Sequence, residues 1–484
     1  MGPVGSPAGG SVPPVPGLAP GAAAAASWDG RSCFLSRRRA PHRSPAPIIA
    51  CFLGGPLTGT SQGSHGETAT IGVYVDAGSR SETAQNNGAA HFLEHMIFKG
   101  TNKRTQAQLE SQIENMGGHL NAYTSREQTV YYAKVFKNDV PAAVEILADI
   151  LQDSKLDEAA IERERGVILR EMEEVEKVHE EVIFDKLHET AFQGSSLGRT
   201  ILGPRENIQS LTRAQLKDYI STHYTGPRVV LAGAGALDHG ELVGLAEKHF
   251  GGLAGPGSAT PGALLEAPRS DAHFVGSDIR LRDDGLPTAH VAVALETGGW
   301  LDAHSFPVMV MQQILGSWDR TFGGGATLGS KMCRELAEHC GAHSVTTFNT
   351  TYTDTGLFGV YFVAPPTNAF AGAQNVMYEM ARLTEEVEAD ELERAKQQLK
   401  TAMLMHLDGT TAVCEDIGRQ MLSYGRRLTP AEVFARIDAV DKEAISKAAH
   451  AVVHDKDVAI SALGSIHELP DYNWIRRRTS LLRY

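Results

Sequence analysis

No run of 18 or more apolar residues occurs in this 484-residue chain, so a membrane-spanning helix is not expected. Cysteine is scarce. Cys33, Cys51, Cys333, Cys340 and Cys414 are irregularly spaced, with no Cys-x-x-Cys pair. That argues against a disulfide framework or a thiolate zinc cage and leaves reduced thiols in a non-oxidising compartment. A basic excess is also missing. The formal net charge of −13 argues against nucleic acid as a partner and suits basic ones. Residues 1–65 lack acids: Asp29 stands alone against Arg31, Arg37, Arg38, Arg39 and Arg43. This Gly-, Pro-, Ala- and Ser-rich stretch has too little apolar surface to order itself. It reads as an organelle-targeting segment, with a plain disordered tail as the alternative.

What is present suits a soluble globular chain of two domains, each of roughly 200 residues. Thr70 to Asp76 alternates and is β-branched, a strand closed by Gly78. Helices are expected over Ala89 to Phe98 and Thr105 to Met116, the second stopped by Gly117-Gly118. A strand hairpin is expected about Ser125-Arg126-Glu127, then helices to about Thr190, and a strand from Arg228 to Gly235. Gly251 to Asp271 reads as a linker. After it the order restarts: the Thr288 to Glu296 strand echoes the Thr68 strand, and Val458 to Gly464 echoes the one at Val229. The expected architecture is α+β, an internal duplication of two similar domains, each a mostly antiparallel sheet packed with helices around a shared cavity. The boundaries fall at 1–65 for the targeting or disordered segment, 66–252 for a metal-bearing domain, 253–272 for the linker and 273–484 for a domain without metal.

The strongest chemical signal is His91-Phe92-Leu93-Glu94-His95. On a helix, positions i, i+3 and i+4 share a face, so both imidazoles can meet one ion with Glu94 beside them. A catalytic zinc needs three protein ligands and an open position. The third donor must come from elsewhere. Glu171 and Glu164, seven apart on the helical stretch from Ile161 to Val178, share a face. Glu171 would complete a His, His, Glu set, Glu164 would orient a ligand imidazole, and Glu94 would take a proton from water. Spacing alone leaves an alternative open, because Glu171 belongs to a charge run that could simply be a solvated face.

Three segments then carry a resemblance: Gly88 to Thr101, Gly118 to Glu127 and Glu162 to Met172. Trp318 to Gly325 and Cys414 to Gln420 extend it into the second half. Together they resemble the β-subunit family of mitochondrial processing peptidases, inverted-zincin metallopeptidases related to pitrilysin, from about Glu67 to the C-terminus. The resemblance implies two similar domains around a cavity and one Zn2+ held by His91, His95 and Glu171. The implied activity is removal of N-terminal targeting peptides from precursors imported into the mitochondrial matrix. It further implies that Phe98 contacts the residue after the cut, that Asn121 and Ala122 lie on an edge strand along which the peptide extends, and that Glu181 and Asp185 bind arginines before the cut. The region from Asp153 to Glu189, with thirteen acids against six bases, independently suits basic presequence peptides. Two departures stand out. The family's opening strand carries Leu-x-Asn-Gly, absent between Ile48 and Gly63, and the Gly323-Gly324-Gly325 run is shorter than the glycine-rich loop of the family's α subunit. An α subunit is therefore expected as a separate partner in a heterodimer. The rival readings are a core structural subunit of ubiquinol–cytochrome c reductase, associated with respiratory-complex subunits, and a general peptide-degrading relative.

Overall fold

A computed structural model describes residues 49–51, 57–62, 66–253, 272–324 and 328–480. Within them lie two sheets of six strands each. The first is built from β1 (Ile49–Cys51), β2 (Leu57–Gln62), β3 (Thr68–Val75), β4 (His119–Thr124), β5 (Thr129–Phe136) and β6 (Val229–Gly235), in the order β1-β2-β6-β3-β5-β4. The second contains β7 (Ser277–Arg282), β8 (Ala289–Gly298), β9 (Trp318–Asp319), β10 (Ser344–Thr351), β11 (Thr355–Ala364) and β12 (Ala459–Gly464), ordered β7-β12-β8-β11-β10-β9. In each sheet one pair is parallel, β2 with β6 and the edge strand β7 with β12, and the other pairings are antiparallel. The duplication expected from the echoes at Thr68 and Thr288, and at Val229 and Val458, is thus visible in five strands of each sheet, β2, β6, β3, β5 and β4 matching β7, β12, β8, β11 and β10, while β1 and β9 are additions at opposite edges. The α+β architecture stands.

Strand alternation explains the layers. Along β3, Ala69, Ile71, Val73 and Val75 face one hydrophobic core, while Tyr74 belongs to another. Along β8, Val291, Val293 and Leu295 face one core, and Ala292 and Ala294 the other. Each sheet therefore has two apolar faces to cover. One face of the first sheet is covered by helices of its own half, among them α1 (Ala89–Met96), α2 (Gln106–Asn115) and α3 (Val140–Gln152); α4 (Glu158–Val175) packs on α1. The second faces are covered by exchange. Helix α5 (His179–Ala191) lies on β7, β8 and β12, burying Ile183, Leu187 and Ala191 against Ala292, Ala294 and Tyr361. The Thr410–Tyr424 helix lies on β2, β3 and β6, burying Cys414, Ile417 and Met421 against Tyr74, Val230 and Ala232.

Boundaries at 252 and 273 follow the chain and not the packing, because each half completes the other's core. The expected start at residue 66 also differs from the structure. β2 pairs with β6 from Leu57 onward, and β1 pairs with β2, since a sheet whose edge stopped at β6 would leave its backbone groups unpaired. The remainder of the targeting segment, and all of the linker but Leu253 and Ala272, lie outside the described residues. Among the described residues no helix is long and apolar enough to cross a membrane. Cys333, Cys340 and Cys414 are free and buried, and burial pushes each thiol's pKa up.

Candidate metal centre

Helix α1 carries the two histidines and Glu94, and its start is fixed from outside. Gly88, its N-cap, has φ +100°, and a Cβ there would meet Leu202 O at 2.9 Å and Ile208 Cδ1 at 2.8 Å. With no capping side chain of its own, the helix uses Glu82. Its carboxylate accepts from the Gly88 N–H at 2.9 Å, the Ala90 N–H at 2.7 Å and Asn87 Nδ2 at 2.7 Å. Helix α4 is tied to the same region by Arg165, which donates to Leu211 O at 3.0 Å and to Ile208 O, and stacks over the Phe92 ring. The two helices that carry the donors are therefore held in register by groups outside the donor set.

Three donors converge. Glu171 Oε1 lies 3.6 Å from His91 Nε2, Glu171 Oε2 lies 3.1 Å from His95 Nε2, and the two rings are 4.8 Å apart between centroids. Two ligands at about 2.1 Å in tetrahedral arrangement sit about 3.4 Å from each other, so the carboxylate–imidazole spacings are those of a shared ion. One ligand atom from each of the three residues falls within 4.8 Å of the others, the only such set among the described residues. Two further features fit a cation. Glu171 Oε2 is buried without a hydrogen bond of good geometry, although His95 Nε2 is near it. The imidazoles of His91 and then His95 hold the Glu171 carboxyl well below the usual carboxylate range, against the effect of burial. Burial lowers the His95 pKa, but Glu171 and Glu164 outweigh it and raise it. The donors suit zinc, which takes nitrogen and carboxylate oxygen.

Glu164 stands where a ligand-orienting carboxylate is needed. Oε2 is 3.4 Å from His95 Nδ1, and Oε1 receives Lys99 Nζ at 2.8 Å. Glu94 is half-buried on α1, and its charge acts on both members of the Tyr131–Tyr224 pair, whose hydroxyls are 2.8 Å apart. Burial, Tyr224 and the Glu94 charge together push the Tyr131 hydroxyl pKa well up, so it stays protonated. Phe98 is half-buried against the first core. β4 is the outermost strand of its sheet, and Asn121 and Ala122 lie on it with Asn121 exposed. Glu181 is exposed in the first turn of α5. Asp185 is already engaged, accepting from Arg126 Nη2 at 2.7 Å. A basic ligand at Asp185 has to share or displace that guanidinium.

Glu82, Lys99, Tyr131, Tyr224 and Arg126 were not singled out by the sequence reading. Glu82 sits six residues before Gly88, outside the usual capping spacing, so no local signal marks it. Lys99 lies in the bend after α1, beyond the expected helix, so helical spacing does not mark it.

The fold and the site define a class of protein, a two-domain α+β chain with an inverted His-x-x-Glu-His set on one half alone. Residues 60–205 match the family described as insulinase, peptidase family M16, and residues 210–399 match the M16 inactive domain. The chain belongs to the M16 peptidase family. It is 53% identical over 431 residues to the mitochondrial-processing peptidase subunit beta of Mus musculus, covering 89% of this chain and 87% of that one. It is 50% identical over 462 residues to the probable mitochondrial-processing peptidase subunit beta of Arabidopsis thaliana, covering 93% and 86%. A chain of complex III2 from Candida albicans shares the fold, with a TM-score of 0.80 at 24% identity, over 90% of this chain and all of that one.

Proposed function

We propose that the chain is the catalytic β subunit of a zinc metalloendopeptidase that removes N-terminal targeting peptides from imported precursors in the mitochondrial matrix, paired with an α subunit. The observation that carries this is the convergence of His91, His95 and Glu171 on one point beside Glu94. Zinc, when bound, supplies Lewis acidity, polarising a carbonyl and acidifying water. The remaining work falls to side chains. His91, His95 and Glu171 hold the ion, and Glu164 with Lys99 fixes the His95 ring. Glu94 takes a proton at its carboxylate and returns it to the leaving amine. The backbone of β4, an edge strand, has pairing groups to offer an extended peptide. Glu181 and the acids around the α4–α5 junction attract a basic presequence. The rival role as a scaffold beside respiratory-complex subunits rests on shared fold alone and does not need an intact donor set.

The test combines the chain with an α subunit and one precursor bearing a basic targeting peptide. Cleavage should require both chains, stop with a chelator and return with one equivalent of zinc per chain. Glu94→Gln should keep metal and precursor binding and lose cleavage by at least about 100-fold, the range of a lost general base. Full cleavage by that variant would refute the assigned mechanism.

A further inference from the structure

A second charged feature, which includes Lys99, lies beside the donor set. An open cavity of 340 Å³ is formed by the 99–106 segment, Lys155 and the start of α4. Lys99, Lys103, Arg104, Lys155 and Arg163 line it against a single acid, Asp157. In a chain of net charge −13 this is a local reversal of sign. The cavity has a fixed floor. Thr101 Oγ1 donates to Asp149 at 2.7 Å and accepts the N–H groups of Lys103 and Arg104, and bridges join Gly100 to Thr105 and Thr101 to Ser154. Some of the cations are already neutralised, Lys99 by Glu164 and Arg104 by Glu145 and Asp149. Lys155 and Arg163 are exposed and form no ion pair among the described residues.

Helix α4 places this basin relative to the donors. Its first turns carry Arg163, its later turns carry Glu171, and its end with the start of α5 carries Glu173, Glu174, Glu176, Glu180 and Glu181. The donor set thus sits between a basic and an acidic region along one axis. Arg163 and Glu171 are eight residues apart, about 12 Å along the helix. An extended peptide covers that distance in about four residues.

The geometry points to a substrate of two charges: a basic segment before the cut and an acidic side chain received by the Lys155–Arg163 basin about three to five residues after it. This rests on the peptidase reading above, which puts the basic segment at the acidic end and so leaves the basin to the downstream side.

The test uses the assembled two-subunit enzyme and peptides that differ only by Glu or Gln at the third, fourth or fifth position after the cut. At low salt the Glu peptide should show about a three- to fivefold higher kcat/KM at one of these positions, the size of one partly exposed ion pair, and added salt should erase it. Replacing both cations, Lys155→Gln with Arg163→Gln, should bring the Glu-to-Gln ratio to about one. Glu94→Gln enzyme should show the same preference in binding affinity. A ratio of one at all three positions, or a ratio that survives the double substitution, overturns the basin. If neither peptide is cut, the peptidase reading falls and takes the basin with it, whereas equal cutting of both removes the basin alone.

Discussion

Glu82 shows how one buried carboxylate can govern a site it never touches. It satisfies the first N–H groups of α1, which otherwise have no partner. Burial is the larger influence on it and raises its pKa to about 7, while the Ala90, Asn87 and Gly88 donors pull the other way. The folded value lies above the ordinary one of 4.5, so the native protein holds an extra proton between the two. This group's contribution to stability is therefore full below about 4.5 and falls as the pH rises through about 7. Glu82→Gln should flatten that slope in urea midpoints measured between pH 5 and 8. An unchanged slope would show that Glu82 titrates normally. Glu82→Ala should cost about 2–3 kcal/mol, because it strands two buried N–H donors. It should also weaken zinc retention against a chelator, since α1 presents both imidazoles.

At the scale of elements, the exchanged helices pack closely on the sheets they cover. Gly418, midway along the Thr410–Tyr424 helix, crosses β3 so closely that a Cβ would lie 2.3 Å from Tyr74 Cδ2 and Cε2. Alanine would gain about 1 kcal/mol of helix propensity over glycine. Overpacking against a buried ring costs about 1–3 kcal/mol, so the clash wins. Gly418→Ala should lower the urea midpoint, and Gly418→Val should lower it further. Stabilisation by alanine would mean that the ring moves aside and the helix is not held against the sheet by this contact. The same tyrosine is anchored only weakly by polar contact, its hydroxyl 3.7 Å from Cys414 Sγ, so shape carries the interface.

Over the whole molecule, the two sheets are also joined by buried charge. Arg80 donates to Glu127 at 2.8 Å and, bidentately, to Asp354 at 2.6 Å, in the β10–β11 turn of the second sheet. Glu127, in the β4–β5 turn of the first sheet, also accepts from Thr353 N and Oγ1 at 3.1 Å. One guanidinium thus links the hairpin that ends in edge strand β4 to the other half. Arg80→Met should cost about 3–5 kcal/mol, because it removes one partner of the buried Arg80–Glu127 pair. Asp354→Asn should cost only about 1 kcal/mol, since Asp354 is half-exposed and Arg80 keeps Glu127. Chemical denaturation distinguishes the two, and equal small effects would show that the join does not depend on charge.

Much of this protein was legible in sequence order alone. The His91 and His95 spacing places two imidazoles on one helical face, and alternation from Thr70 to Asp76 marks a strand. These features depend on neighbours a few residues apart, and periodicity records them directly. Glu171 was ambiguous among the adjacent acids until α4 packed on α1, and Glu82 and Arg126 gained meaning only from partners whose positions no local pattern specifies. The start of the first sheet was missed because β2 is stabilised by pairing with β6, more than 160 residues away. Sequence determined the strands of both halves and the repeat that relates them, and the fold leaves both sheets with second apolar faces to cover. Only tertiary structure decided that α5 and the Thr410–Tyr424 helix would cover them crosswise, because burying apolar area is non-directional and the choice of cover depends on which helix fits the shape.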